Sequence, residues 1–448
     1  MPQSPEFQLD LLGLHESLDS PVSESMNFLN EVAQRYPGAI SFAAGRPYEG
    51  FFDLDAIHRY LEVYRQHLSE RLGGDEAAVR RQILQYGRTK GVIHELIAEN
   101  LRVDEGITVD PESIVVTVGC QEALYLTLRA LRRDDRDVLL AVVPSYVGVH
   151  GAAQLVDMPL LPVRDSDQGI DLDDLVAVVR RARAAGQRPR ACYVVPDFAN
   201  PSGVSLDLET REALLRLAEE HDLLILEDNP YGIFNDGSAV PTLKALDRSK
   251  RVVYLGTFAK SGVPGARVGF AVADQRVTVG DGIGAGTGIG TGIGTGDATL
   301  ADQLAKIKSM LTVNTSPIAQ AVIGGKLLEN GCSLRVANTR ETQIYLGNLR
   351  QVQQGLAERF PAGEEPAISW NSPAGGFFCL LNVPFPAGDD LLELSAAKHR
   401  VLWTPMHHFY AETEPRRQIR MSFSHLLPAE IDEGLDRLAG FVREQAAG

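Results

Sequence analysis

The sequence predicts an α/β protein: a large domain on a mainly parallel central sheet, joined to a smaller α+β domain near the C-terminal end. Three observations carry this expectation. From about residue 110, short and nearly continuous apolar runs alternate with helical patterns, as strands buried on both faces of a parallel sheet do. After residue 329 the rhythm changes to long helical patterns, then strands broken by a Gly turn. A length of 448 residues also exceeds what one hydrophobic core usually serves.

Taken in order, residues 1–50 read as an N-terminal arm whose helix packs against the smaller domain, 51–325 as the large domain and 326–448 as the small one. Strands are expected at 113–119, 138–143, 191–196, 223–228, 251–256 and 266–273, with helical segments such as DLDDLVAVVRRARAAG and LETREALLRLAEEHD between several of them. In the small domain, 367–384 reads as strands around a Gly turn and 419–425 as another strand. From Gly280 to Gly296 every second residue is Gly, so 278–298 reads as a flexible surface loop. Strict alternation excludes the G-x-G-x-x-G spacing, and there is no GK[ST], so this loop is assigned no nucleotide.

Composition narrows the function. With 43 Lys+Arg against 59 Asp+Glu the formal charge is −16, which disfavours nucleic acid or an anionic membrane surface as the main partner. No run approaches 18 apolar residues, and the acidic N-terminus shows no basic-then-apolar leader. Cys120, Cys192, Cys332 and Cys379 have no metal-ligand spacing, so no metal is expected and a reducing cytoplasm is the expected home.

Ligands of doubly covered parallel sheets gather beyond the strand ends, and four local features fall there. GTFAKSGVPGARVG puts Lys260 and Arg267 just past an apolar strand. LILEDNPYG ends a strand in a carboxylate, Asp228, whose burial without a cationic partner is costly. In VPDFANPSG, Asn200 is held extended by the following proline. TVGCQEAL passes from strand through glycine into a helix start, offering backbone amides to an anion.

Together, N-P-S-G at 200–203, D-x-x-Y at 228–231, T-x-x-K at 257–260 with Arg267, and I-R-x-S-F at 419–423 resemble the pyridoxal-phosphate aminotransferases of fold type I, from about Ser41 to about Ser424. The resemblance implies that Lys260 is the amine that binds the aldehyde of pyridoxal 5′-phosphate and then moves the substrate proton. It implies Asp228 as partner of the ring nitrogen, Asn200 and Tyr231 as donors to the phenolic oxygen, and Tyr146 as the stacking aromatic. The phosphate falls to Gly119, Cys120, Gln121, Thr257 and Arg267, and the substrate carboxylate to Arg420, with Gly45 and Asn200 nearby. Tyr86 matches a tyrosine that reaches the neighbouring subunit's phosphate, which implies a homodimer. Ala259 departs from the serine common at its position, and Met406, His407 and His408 stand where relatives have a Pro-Gly turn, so these three read as pocket or entrance residues; the His pair has no third ligand in sight.

The connecting residues of SFAAGRPYEGFFD, QYGRTKG and TFAKSGVPGARVGF look closest to actinobacterial hydroxyphenylglycine aminotransferases, which implies an arylglyoxylate substrate for antibiotic biosynthesis. Tyr48, Phe51, Phe52 and Phe409 are then the expected apolar walls, with Arg46 or a histidine at the polar end. The alternative on the same scaffold is an amino-acid oxidase, lyase or decarboxylase, because small pocket changes steer what the cofactor does.

Overall fold

The computed structural model describes residues 9–20, 22, 25, 28, 31, 34–238, 240–278, 298–410 and 413–447. The Gly-rich stretch 280–296, expected to be a flexible loop, lies outside the described residues.

Seven strands form the central sheet: β1 (Ile114–Thr117), β2 (Asp137–Val143), β3 (Leu160–Arg164), β4 (Arg188–Val194), β5 (Leu224–Asp228), β6 (Val252–Thr257) and β7 (Gly269–Val272). Their order is β1-β7-β6-β5-β4-β2-β3. Only β7 runs antiparallel to its neighbours, β1 and β6. Six strands are expected from the sequence; the seventh, β3, pairs with β2 alone at the edge. An edge position tolerates the proline in Leu-Leu-Pro-Val-Arg, and the proline and arginine hide the apolar run.

Side-chain alternation assigns each strand residue to one face. Val115, Leu139, Ala141, Tyr193, Leu226, Val253, Leu255 and Ala271 share a core with the helices Gly119–Leu131, Val147–Leu155 and Leu300–Leu311. On the opposite face, Leu140, Cys192, Val194, Ile225 and Val252 pack against Leu172–Ala184 and Leu208–Glu220. Acidic caps start those two helices, Asp171 accepting from Asp174 N and Asp207 from Thr210 N.

A second sheet is antiparallel, with β8 (Ser369–Trp370), β9 (Phe378–Ala387), β10 (Thr404–Pro405) and β11 (Arg416–Ser422) in the order β10-β11-β9-β8. Its apolar face packs on the helices Thr339–Arg359 and Pro428–Ala447. The division expected between residues 325 and 326 falls inside the helix Pro317–Glu329, whose Ile323 and Leu327 belong to one core. In the N-terminal segment Phe28 packs against the core of the second sheet, while Val22 meets Val147, Met406 and Phe409. Ile40–Ser41 pairs with Val401–Leu402, and Ser422 N donates to Phe42 O at 2.6 Å, so the chain after Phe42 runs along the open end of the central sheet.

Candidate active site

A cavity of about 320 Å³ opens where β4, β5 and β6 end. Of the residues expected at the site, Gly45, Cys120, Gln121, Tyr146, Asn200, Asp228, Tyr231, Thr257, Lys260, Arg267 and Arg420 all line it. Strand order explains most of the convergence: Asp228 is the last residue of β5, Thr257 the last of β6, and Cys120, Gln121, Tyr146, Asn200, Tyr231, Lys260 and Arg267 follow the ends of β1, β2, β4, β5 and β6, while Gly45 comes from the N-terminal segment and Arg420 from β11. Gly119 does not line the cavity but stands behind it. A Cβ there would lie 2.5 Å from Arg267 Nη2, and its φ of +75° favours glycine, so Gly119 lets the guanidinium rest on the helix start. Tyr86 lies outside this chain's cavity, 80% exposed.

Lys260 Nζ donates to Gly45 O at 2.8 Å. Burial first, then the positive charges of Arg420 and Arg267, bring its amine down to about 8, so free base is present near neutral pH. Asp228 is buried, and two uncharged side chains stand against its oxygens. Tyr193 Oη donates to Oδ2 at 2.7 Å, and Cys120 Sγ stands 3.6 Å from Oδ1. Burial pushes this carboxyl up to about 6, with the Tyr193 and Cys120 hydrogen bonds pulling the other way. Tyr193 escapes sequence reading because ACYVVP is apolar on both faces, so periodicity does not mark the one side chain that meets Asp228.

The helix Gly119–Leu131 has no side-chain cap, and its first residues Cys120 and Gln121 face the cavity beside Thr257 and Arg267. Uncapped amides, a helix dipole and a guanidinium make this end an anion site. Gln121 Nε2 donates to Gly148 O at 2.7 Å, while its buried Oε1 has no partner among the described residues. Tyr146 is buried against the same wall, which pushes its phenol up to about 12. Burial likewise raises Tyr231, which packs against Phe377 and edge-on to Phe378.

Arg420, on β11, is 5% exposed and lies between the rings of Phe378 and Phe409, 4.5 and 4.8 Å from their centroids. Its fork donates to Asn200 Oδ1 at 2.7 Å, Ala43 O at 2.5 Å and Thr404 Oγ1 at 3.0 Å. Burial lowers it to about 10, so it stays charged at neutral pH. Nε is buried with no partner among the described residues.

The expected walls need correction. Phe409 and Arg46 line the cavity, but Tyr48, Phe51 and Phe52 do not. Tyr48 packs on Phe51, Phe51 lies under Arg340, and Phe52 is 58% exposed. Phe378, unread in the sequence, takes their place. Met406, His407 and His408 are buried behind Phe409 rather than in the pocket.

These residues fit a phosphorylated aldehyde cofactor: an amine, a buried carboxylate and an uncapped anion site with an arginine surround one cavity. The chain belongs to the class I and II aminotransferase family, whose profile matches residues 49–438. It is a pyridoxal-phosphate-dependent aminotransferase of fold type I. The (S)-3,5-dihydroxyphenylglycine transaminase of Amycolatopsis orientalis is 52% identical over 435 residues, 97% of this chain and 95% of the relative. Among solved structures, the kynurenine aminotransferase of Pyrococcus horikoshii matches with a TM-score of 0.78 at 27% identity, over 96% of this chain and 97% of that one. The α-aminoadipate aminotransferase of Thermus thermophilus, complexed with N-(5′-phosphopyridoxyl)-L-leucine, matches with a TM-score of 0.76 at 26% identity, over 97% and 98% of the two chains. Among the described residues no helix is long and apolar enough to cross a membrane.

Proposed function

We propose that this aminotransferase exchanges an amino group between an L-amino acid and an arylglyoxylate in a ping-pong cycle, forming hydroxyphenylglycine-type amino acids for secondary metabolism. The observation that carries the reading is the 52% identity, along nearly the whole chain, to a 3,5-dihydroxyphenylglycine transaminase. The cavity supports it: Arg420 between two phenylalanine rings offers a carboxylate clamp beside an apolar slot, and Arg46 adds a polar group to the lining.

Bound pyridoxal phosphate supplies an aldehyde for covalent attachment and a ring that accepts the electrons left when the substrate α-carbon loses its proton. Lys260 is the attachment amine and the base that takes and returns that proton; with its pKa brought down to about 8, it can do both near neutral pH. Asp228 is ionised above about pH 6 and is the anion for the ring nitrogen. Cys120 and Gln121 amides, the Thr257 hydroxyl and Arg267 would hold the phosphate, with Gly119 giving the arginine room. Tyr146 would supply an aromatic face for the ring, and Tyr231 and the amide nitrogen of Asn200, which line the same cavity, would be donors for its phenolic oxygen. Asn200 Oδ1 meanwhile holds Arg420, so one side chain aligns cofactor and carboxylate clamp.

The homodimer belongs to the same reading. Tyr86 is exposed, and the next residue, Gly87, faces Pro317 and Asn314, the chain neighbours of the exposed Ile318 and Val313, a surface that a partner subunit would cover while receiving Tyr86 at its phosphate. Four free cysteine thiols support a reducing, cytoplasmic setting. The test is a panel of donors and acceptors with amino-acid product measured by chromatography. Arylglyoxylates should be the best acceptors; turnover confined to aliphatic 2-oxo acids would remove the arylglycine assignment, and ammonia release without an acceptor would remove transamination.

A further inference from the structure

We propose that Asp389, His407 and His408 form a binding site for a first-row divalent transition ion, with zinc the best match. They are the one group of three such residues among those described whose ligand atoms all lie within 4.8 Å of one another. His408 Nε2 is 2.9 Å from Asp389 Oδ1, and His407 Nε2 is 3.5 Å from Oδ2. A tetrahedral zinc with bonds of about 2.0–2.1 Å separates its donor atoms by about 3.3 Å, so the two distances bracket what the ion requires. Two imidazoles and one carboxylate are a donor set suited to zinc, with a fourth position left for water.

Features around the three residues point the same way. Ser25 Oγ sits 2.7 Å from His408 Nδ1. With the proton on Nδ1, that contact leaves the Nε2 lone pair aimed at the carboxylate, as the outer partners of metal-bound histidines do. His407 is only 6% exposed, so an ion held at its Nε2 would be shielded from water on that side. The Asp389 side chain is 46% exposed, which gives an ion a way in. None of the three lines the cavity, so catalysis does not account for them.

Bound there, the ion joins three parts of the chain: the helix Asp389–Leu394, the turn Met406–Tyr410 and the N-terminal segment through Ser25. The turn carries Phe409, which covers Arg420 and whose carbonyl accepts from Ser145 N at 3.0 Å. Metal binding therefore stiffens one wall of the substrate cavity, whatever the substrate is.

The test begins with holoenzyme stripped by a chelator and titrated with Co²⁺. One ion per chain should bind, with the ligand-field absorption of a four-coordinate site, and zinc should displace it. The paired change His407→Gln and His408→Gln should weaken binding at least tenfold. No such absorption in the unaltered protein, or equal affinity in the double variant, would overturn the proposal. Because the double variant removes buried groups, unaltered crystals grown with zinc give an independent reading. An anomalous peak at bonding distance from Asp389 and both rings is expected, and its absence there would overturn the site.

Discussion

Two neighbouring carboxylates at the end of β5 meet opposite fates, and the difference separates structure from function. Glu227 and Asp228 point to opposite faces of the sheet, as consecutive strand residues must. Glu227 is completely buried, and its two oxygens accept from the backbone amides of Leu243 and Lys244, at 2.9 and 2.7 Å. It closes the start of the short helix Leu243–Leu246 and faces no cavity lining. Asp228 receives only a tyrosine hydroxyl and a weak thiol contact, and borders the open cavity. Burial pushes Glu227 up to about 8 and Asp228 to about 6, so the carboxylate at the site is the one ionised at neutral pH. The helix starts repeat the contrast: Leu243–Leu246 is sealed by Thr242 and Glu227, and Gly119–Leu131 is left uncapped at the cavity.

Substitutions can break this contrast. Asp228→Asn should lower kcat/KM by about 10³-fold, because the charge proposed to hold the protonated ring nitrogen is gone. Its stability in urea should hold or rise, since a buried charge has been removed; a large loss of stability with near-normal turnover would invert the assignment. Glu227→Ala should do the opposite. It leaves two buried amides without acceptors, at about 1–3 kcal/mol of unfolding free energy, while kcat/KM changes by no more than about threefold. Tyr193→Phe sharpens the comparison from the site side. Losing one donor to Asp228 should reduce kcat/KM about tenfold and move the acid limb of the pH profile upward, because that hydrogen bond favours the ionised carboxylate.

The same contrast carries into the pH dependence of stability. A folded-state pKa raised from 4.5 to about 8 means that folded Glu227 binds its proton more tightly than the unfolded chain does. Its contribution is therefore full below about pH 4.5 and is lost as pH rises toward 8. Urea unfolding across that range should show a shallower decline in Glu227→Gln, which cannot ionise, than in the unaltered protein. Equal slopes would mean that this carboxyl is not the proton-linked group.

Much of the site is legible in the sequence because its chemistry sits in short segments just past strand ends. N-P-S-G, D-x-x-Y and T-x-x-K each carry their reactive side chain within four residues, and strand order then brings them together. What stays hidden depends on contacts between distant segments. Tyr193 meets Asp228 across 35 residues, and Asp389 meets His408 across 19; neither spacing has a local signature. The walls mislead for a related reason. Phe51 and Phe377 look as fit for a pocket as Phe378 does, but only packing decides that Phe51 lies beneath Arg340 and Phe377 against Tyr345.

The central claim is that Lys260 is the amine that carries the cofactor. Reducing the holoenzyme with borohydride and mapping its peptides measures this directly. The account predicts one pyridoxyl tag per chain, on the peptide containing Lys260, with no tag in Lys260→Ala. A tag on another lysine, or none at all, would contradict it.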